Sequence, residues 1–398
     1  MHWQHHAAAL AERVTDPDSR WRAPVASTAR HTLIPNWWER GPNGWTLHRG
    51  EDDPARWARV AYGAESAVTS VGGHHADHAN PEDHPTGLPT SSATLTALVV
   101  KMLRHGRIGT EHDVLDVGTG AGGLTALLSR RIGEQRVTSL DVDPYLVDAA
   151  RERLDAMGLH PTFAAVDATG PLTGDYDRIV STVGVRPVPV SWLAALRKGG
   201  RLVTTIRDTA LILTAWATPD GGAVGHVERD WAGFMGTRHG ANYPPGPVEL
   251  FKTARDCEGE EVSTGRYPVA DVRDGWEVWS FLSVSVPGIE YDYEERAGLR
   301  TAYLVHPDGS WARASATGFG PPTVHQSGPR RLWTELERIR TRSMVEGGLP
   351  LYGCDATVSP DGVIHLARGR WSATVDWMDE SKGSPADMAR RRPWTHYI

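Results

Sequence analysis

A chain of 398 residues exceeds one small domain and divides into two or three units of ordinary size. Its formal charge of −7, from 42 basic and 49 acidic residues, lacks the basic excess that neutralises phosphate backbones, so no nucleic-acid partner is expected. Two cysteines, Cys257 and Cys354, build neither a disulfide framework nor a thiolate metal cluster, and no basic leader or run of about 18 apolar residues directs the chain to export or to a membrane, so a cytoplasmic location is the expectation.

Residues 1–93 read as a loop-rich N-terminal cap: a helical start over 7–14 gives way to irregular text rich in Trp, His and Pro, which ends near His74, His75 and His78. Those three histidines have a spacing that could hold a metal. Without a companion set of Cys or carboxylates, however, a hydrated polar loop is the expectation, and no metal is predicted. From Thr94 onward Leu95, Leu98, Val99, Met102 and Leu103 recur at helical spacing.

Alternation then begins: strand 114–117, helix 124–132, strand 137–140, helix 146–157, strand 162–166, strand 179–182, helix 191–196 and strand 201–206. Strands separated by such helices require right-handed crossovers, which predicts an α/β fold with a Rossmann-like doubly wound, mostly parallel sheet covered on both faces. Ligands of such sheets sit at the strand C-termini. This unit is expected to occupy 94–250.

Past residue 210 the rhythm is lost, and 251–398 reads as an α+β extension available for substrate recognition. It contains two Pro-Asp-Gly turns between strands, at 307–309 and 360–362, and one good helix over 332–342. Its arginine-rich end, Arg390 to Arg392, reads as a solvated tail.

The chemistry concentrates at Asp116-Val117-Gly118-Thr119-Gly120-Ala121-Gly122, a strand-loop-helix whose glycines let backbone approach a ligand and whose helix presents N-terminal amides to it. Gly118, Gly120 and Gly123 also satisfy the dinucleotide-binding spacing, so a dehydrogenase is the first rival. Asp116, at the expected C-terminal edge, can meet a cationic group but would repel a pyrophosphate. Asp141, followed by Val142, ends the second strand where a carboxylate accepts two ribose hydroxyls. Asp167, followed by Ala168, offers a carboxylate to an adenine amino group. Asp143 reads instead as the cap of the helix opening at Pro144.

That ordered series, continued by Tyr176 to Val180 and Lys198 to Val203, resembles class I methyltransferases, and it favours S-adenosylmethionine, with S-adenosylhomocysteine as product, over a nicotinamide cofactor. Within the class, residues 20–240 resemble protein-L-isoaspartate O-methyltransferases. The cues are Arg30 to Pro35, Tyr62 to Thr69, Thr90-Ser91-Ser92-Ala93, the cofactor loop, Val188 to Leu193 and Lys198 to Leu202. The resemblance implies that Ser92 places a hydroxyl beside the transferred methyl group. The whole chain, including Gln326 to Trp333, is more specifically similar to the methyltransferases that accompany ATP-grasp ligases in graspetide biosynthesis. That likeness implies O-methylation of an aspartate side chain in a ribosomally made, cross-linked precursor peptide, leading to aspartimide. The alternatives are general isoaspartyl repair and a non-catalytic peptide-binding module.

Overall fold

The computed structural model of the chain describes residues 2–41 and 44–376; the arginine-rich end lies outside them. Helices α1 (Trp3–Val14) and α2 (Arg22–Ala26) come first, and α1 buries Ala7, Leu10 and Ala11, one stripe of its surface. The segment that follows is not irregular. Strands β1 (Asn36–Gly41) and β2 (Gly44–Arg49), then, beyond helix α3 (Pro54–Ala61), strands β3 (Ala67–Val71), β4 (His74–His75) and β5 (Pro89–Ala93), form an antiparallel sheet in the order β2-β1-β3-β4, with β5 also on β3. The reason its centre escapes sequence reading is burial on both faces. All five residues of β3 are buried, as are the adjacent Trp37 and Trp38 of β1, so no two-residue alternation is written into them.

Helix α4 (Thr96–His105) leads into β6 (Val114–Val117), α5 (Gly123–Ile132), β7 (Val137–Asp141), α6 (Pro144–Asp155), β8 (Thr162–Ala165), β9 (Tyr176–Val185), α7 (Val190–Ala195) and β10 (Leu196–Ile206). These strands pair in parallel in the spatial order β8-β7-β6-β9-β10. The winding therefore reverses between β6 and β9, and a crevice opens there at the C-terminal edge. This is the Rossmann-like sheet predicted from the sequence.

The expectation of a mostly parallel sheet needs correction, because β11 (Leu211–Ala217) and β12 (Ala223–Trp231) continue the same sheet antiparallel. The connections are the cause: turns of four and five residues are too short for a crossover and can only send the chain back alongside itself.

Helix α8 (Val248–Asp256), strand β13 (Glu261–Thr264), helix α9 (Trp276–Ser285), strands β14 (Glu290–Arg296), β15 (Leu299–Val305), β16 (Trp311–Thr317) and β17 (Thr323–Ser327) and helix α10 (Leu332–Glu346) build a third unit, with an antiparallel sheet ordered β13-β17-β16-β15-β14. The last three strands, β18 (Asp355–Val358), β19 (Ile364–Arg368) and β20 (Trp371–Val375), return to the main sheet through β12 and complete ten strands. Both Pro-Asp-Gly turns connect antiparallel neighbours, one in each sheet. Residues 251–376 are thus divided between two sheets, and a single core joins Ile179 and Leu213 of the main sheet to Trp333, Leu336 and Ile364.

Candidate active site

Strand β6 delivers the glycine loop to the crevice, and backbone bonds tie it to β7. The N–H groups of Gly118 and Thr119 both donate to the Leu140 carbonyl, at 2.9 and 3.0 Å, and Gly120 N–H donates to Asp141 Oδ2 at 2.9 Å. Gly118 and Gly120 have φ of +95° and +50°, in the left-handed region. A Cβ on Gly118 would lie 3.0 Å from Val183 Cγ1, and one on Gly120 would lie 3.4 Å from the Ser92 carbonyl oxygen. Side chains at either position would fill the space that a ligand needs.

A cavity of about 780 Å³, its mouth included, opens above this loop. Gly118, Gly120, Asp141, Val142, Asp167, Ala168 and Ser92, all named from sequence, line it. Asp141 accepts from Gly120 N–H and, at 3.1 Å, from Asp143 N–H, and burial raises its carboxyl above the ordinary range. Asp167 accepts from Thr169 N–H and Oγ1 and meets His239 Nδ1 at 2.7 Å. Burial pushes the Asp167 carboxyl up, but these partners outweigh it and the net direction is down. The Ala168 carbonyl accepts from the indole of Trp192, itself fully buried, so the sequence cue at Val188 to Leu193 marks a prop beneath the adjacent wall.

Two of the named residues do not reach the cavity. Asp116 is fully buried and faces α5, because successive side chains on a strand alternate and Val117 takes the cavity side. Its Oδ2 accepts from Thr125 Oγ1 at 2.6 Å and Ser139 Oγ at 3.2 Å, its Oδ1 has no partner among the described residues, and burial pushes the carboxyl up to about 7. Thr119 likewise turns below the loop, its hydroxyl 2.7 Å from Ser139 Oγ. Asp116 is a strut under the loop, where the sequence reading had it touch the cationic end of a ligand.

Strand β5 brings a row of hydroxyls to the opposite wall. Thr90 Oγ1 donates to Ser70 Oγ at 2.8 Å, and Ser91 Oγ accepts from Thr69 Oγ1 at 2.9 Å. Ser92 lines the cavity beside them, with its carbonyl oxygen on the Gly120 side.

The roof was not legible from sequence. After β12 the chain doubles back over the edge of the sheet, bridging Gly184 to Gly236, and Phe234, Met235, Thr237, Arg238 and Tyr243 close the cavity. A Cβ on Gly236 would lie 2.6 Å from Arg207 Nε, which explains the glycine at this close approach. Arg238 donates to the carbonyls of Gly240 and Thr90 and lies 3.6 Å from Asp143 Oδ2. The only sequence signal was a short apolar pair between glycines.

Asp143 caps α6 through Tyr145 N–H, as expected, and also meets His75 Nε2 at 3.0 Å. His75 and His78 pack on the Tyr145 ring, with centroids 4.4 and 4.3 Å away. His75 is therefore pinned between the N-terminal sheet and the rim of the cavity, which corrects the expectation of a hydrated loop. The folding of the cap onto α6 is what brings these partners together.

The sheet order, the glycine loop at the switch point and Asp141 beyond it define a Rossmann-like fold of the methyltransferase type. A family model for protein-L-isoaspartate(D-aspartate) O-methyltransferase (PCMT) matches residues 78–219. The protein-L-isoaspartate O-methyltransferase 2 of Pelobacter propionicus is 30% identical over 170 residues, 42% of this chain and 73% of that protein. The chain belongs to the protein-L-isoaspartate O-methyltransferase family. A second relative with that activity in its name, from Ignicoccus hospitalis, is 31% identical over 33% of this chain, and the ribosomal protein L11 methyltransferase of Dechloromonas aromatica is 29% identical over 37% of it. The chain spans 64% and 51% of the length of those two proteins, less than two thirds of either.

Proposed function

We propose that the protein is an S-adenosylmethionine-dependent carboxyl O-methyltransferase acting on an aspartate side chain of a ribosomally made, ester-cross-linked peptide of the graspetide type. The observation that carries the methyltransferase reading is the cradle: two glycines whose Cβ atoms would obstruct the cavity, beside the Asp141 carboxylate at its wall. These residues fit the donor. When bound, S-adenosylmethionine supplies an electrophilic methyl group and leaves as S-adenosylhomocysteine.

Asp141 would accept the ribose hydroxyls, Val142, Asp167 and Ala168 would surround the adenine, and the backbone of Gly118 to Gly120 would run beneath the amino-acid end. Asp116 acts on this loop only through Thr125 and Ser139. The acceptor carboxylate needs no general base, since a carboxyl group with a pKa near 4 is already ionised at neutral pH. Ser92 then has one task, to orient that carboxylate with its hydroxyl, and orientation of this kind is worth several kcal/mol of barrier. In the methyl ester that results, the next backbone nitrogen can attack the side-chain carbonyl carbon. A C–N bond forms, methanol leaves with the amide proton, and aspartimide remains.

The dedicated substrate is supported by the third unit, which lies beyond residues 78–219 and shares a core with the main sheet. An ATP-grasp ligase that forms the ester links is the pathway partner this reading implies. The names of the relatives favour a second reading, general isoaspartyl repair. Mass spectrometry separates the two: the cross-linked precursor should gain one methyl group and then lose methanol, far faster than its linear form or an isoaspartyl peptide reacts. A macrocycle has already lost backbone freedom worth about 1 to 2 kcal/mol per residue. Equal turnover of the linear form, or preference for isoaspartyl peptides, rejects the dedicated role in favour of repair.

A further inference from the structure

Between the N-terminal sheet and the sheet of the third unit lies a groove of about 2430 Å³, mouth included, roughly three times the volume of the cavity below Arg238. Val68 of β3 lines its inner end. Val68 is the cross-strand partner of Ser92, and directly paired residues of antiparallel strands project to the same face with Cβ atoms about 5 Å apart. The groove therefore ends across one strand pair from a residue that lines the cavity.

Its far wall includes Tyr293 and Glu295 of β14, the outermost strand of its sheet. An outer strand presents main-chain donors and acceptors along its free edge, which suits an extended chain. Two ion pairs stand on that wall, Arg300 Nε to Glu295 at 3.2 Å and Arg273 Nε to Asp271 at 3.6 Å, and acidic and basic residues both line the groove, so it has no single-sign field to attract a polyanion. At the rim Phe319 is 74% exposed, and the Arg300 guanidinium covers its ring at 4.0 Å. An exposed aromatic held in one orientation is the usual anchor for an apolar side chain of a partner.

We infer that this groove receives, in extended form, the peptide segment flanking the methylated carboxylate, and that Phe319 anchors it. The inference rests on the reading of the site as a peptide carboxyl methyltransferase.

The test compares cross-linked precursors that carry about four and about twelve residues beyond the ring, the longer flank of which spans up to about 40 Å. It uses the full chain, Phe319→Ala, and Ala64→Trp, a plug at an exposed position on the near wall. In the wild type kcat/KM should rise about tenfold or more with length. That gain should shrink to about twofold in Ala64→Trp and fall in between for Phe319→Ala. Titration with S-adenosylhomocysteine should read the same in all three, which certifies their fold. Methylation with the same gain in length in every protein overturns the groove and leaves the methyltransferase reading standing. A protein that binds S-adenosylhomocysteine but methylates neither form of the precursor removes that reading and the groove with it. A wild-type dimer that Ala64→Trp dissociates in sedimentation would assign the groove to a second copy and overturn the peptide.

Discussion

In the parallel half of the ten-stranded sheet, β6, β7, β8 and β9 all finish at one edge, and the winding reversal between β6 and β9 leaves a crevice there. Asp141, Asp167, the glycine loop and Thr182 gather on it although they come from four strands and their following loops. In the antiparallel half, β11, β12, β18, β19 and β20, neighbouring strands end at opposite edges. Strand ends of that half do not gather at one edge, and the side chains of β18 and β19 alternate between core and solvent. The comparison teaches that connection type, crossover or hairpin, decides where functional groups accumulate.

The sharpest test of this division is Asp141→Ala. Removing an acceptor of two charge-assisted hydrogen bonds, each worth about 1.5 to 3 kcal/mol, should weaken S-adenosylhomocysteine on the order of a hundredfold or more while the chain stays folded. Undiminished binding measured by calorimetry would mean that the parallel edge is not the cofactor site. The converse belongs to the other half. Leu366, buried in β19, truncated to Ala should cost about 2 to 5 kcal/mol of stability in denaturant titrations and leave affinity for the same ligand within about twofold. A large loss of affinity in the folded variant would break the comparison.

Smaller effects sharpen it at single residues. Ser92→Ala should slow single-turnover methyl transfer by about 10 to 150-fold, the loss of one bond to a charged group, with little change in donor affinity. A rate within about twofold of wild type would reduce Ser92 to a strand residue.

Asp116 offers a pH signature. Burial holds its carboxyl up to about 7 in the native chain, above the unfolded value near 4. Between those values the native state keeps a proton that the unfolded state has released. Stability on this account is greatest below about pH 4 and falls as pH rises through 7. In Asp116→Asn that dependence disappears, so its stability relative to wild type should grow by about 1 to 3 kcal/mol from about pH 5 to about pH 8. A constant difference across that range would show that the carboxyl is not buried as a protonated strut.

The groups whose position in the fold could be read from sequence owe this to local signals. The glycines of the loop must adopt positive φ, Asp141 and Asp167 follow the ends of apolar strands, and Asp143 stands directly before Pro144 at a helix start. Each depends on residues within a few positions, so spacing alone carries it. Asp116 sits in the same motif, yet the sequence could not say which face of β6 it occupies, since that depends on Thr125 and Ser139 packing beneath it.

Only the tertiary structure decided the rest. Strands β3 and β5 of the N-terminal sheet are buried on both faces and so carry no alternation. The roof at Phe234 to Arg238 has no periodicity of its own, and its Gly236 is needed for an approach to Arg207, outside any local pattern of the chain. The return of β18 to β20 to the main sheet pairs residues more than a hundred positions apart, Ala223 with Val358 among them. By itself the sequence determined the βα repeat, the cofactor loop and the carboxylates at the strand ends, because neighbouring residues dictate backbone conformation. Which of those groups share a cavity, and what covers it, was decided by contacts between segments that no local pattern records.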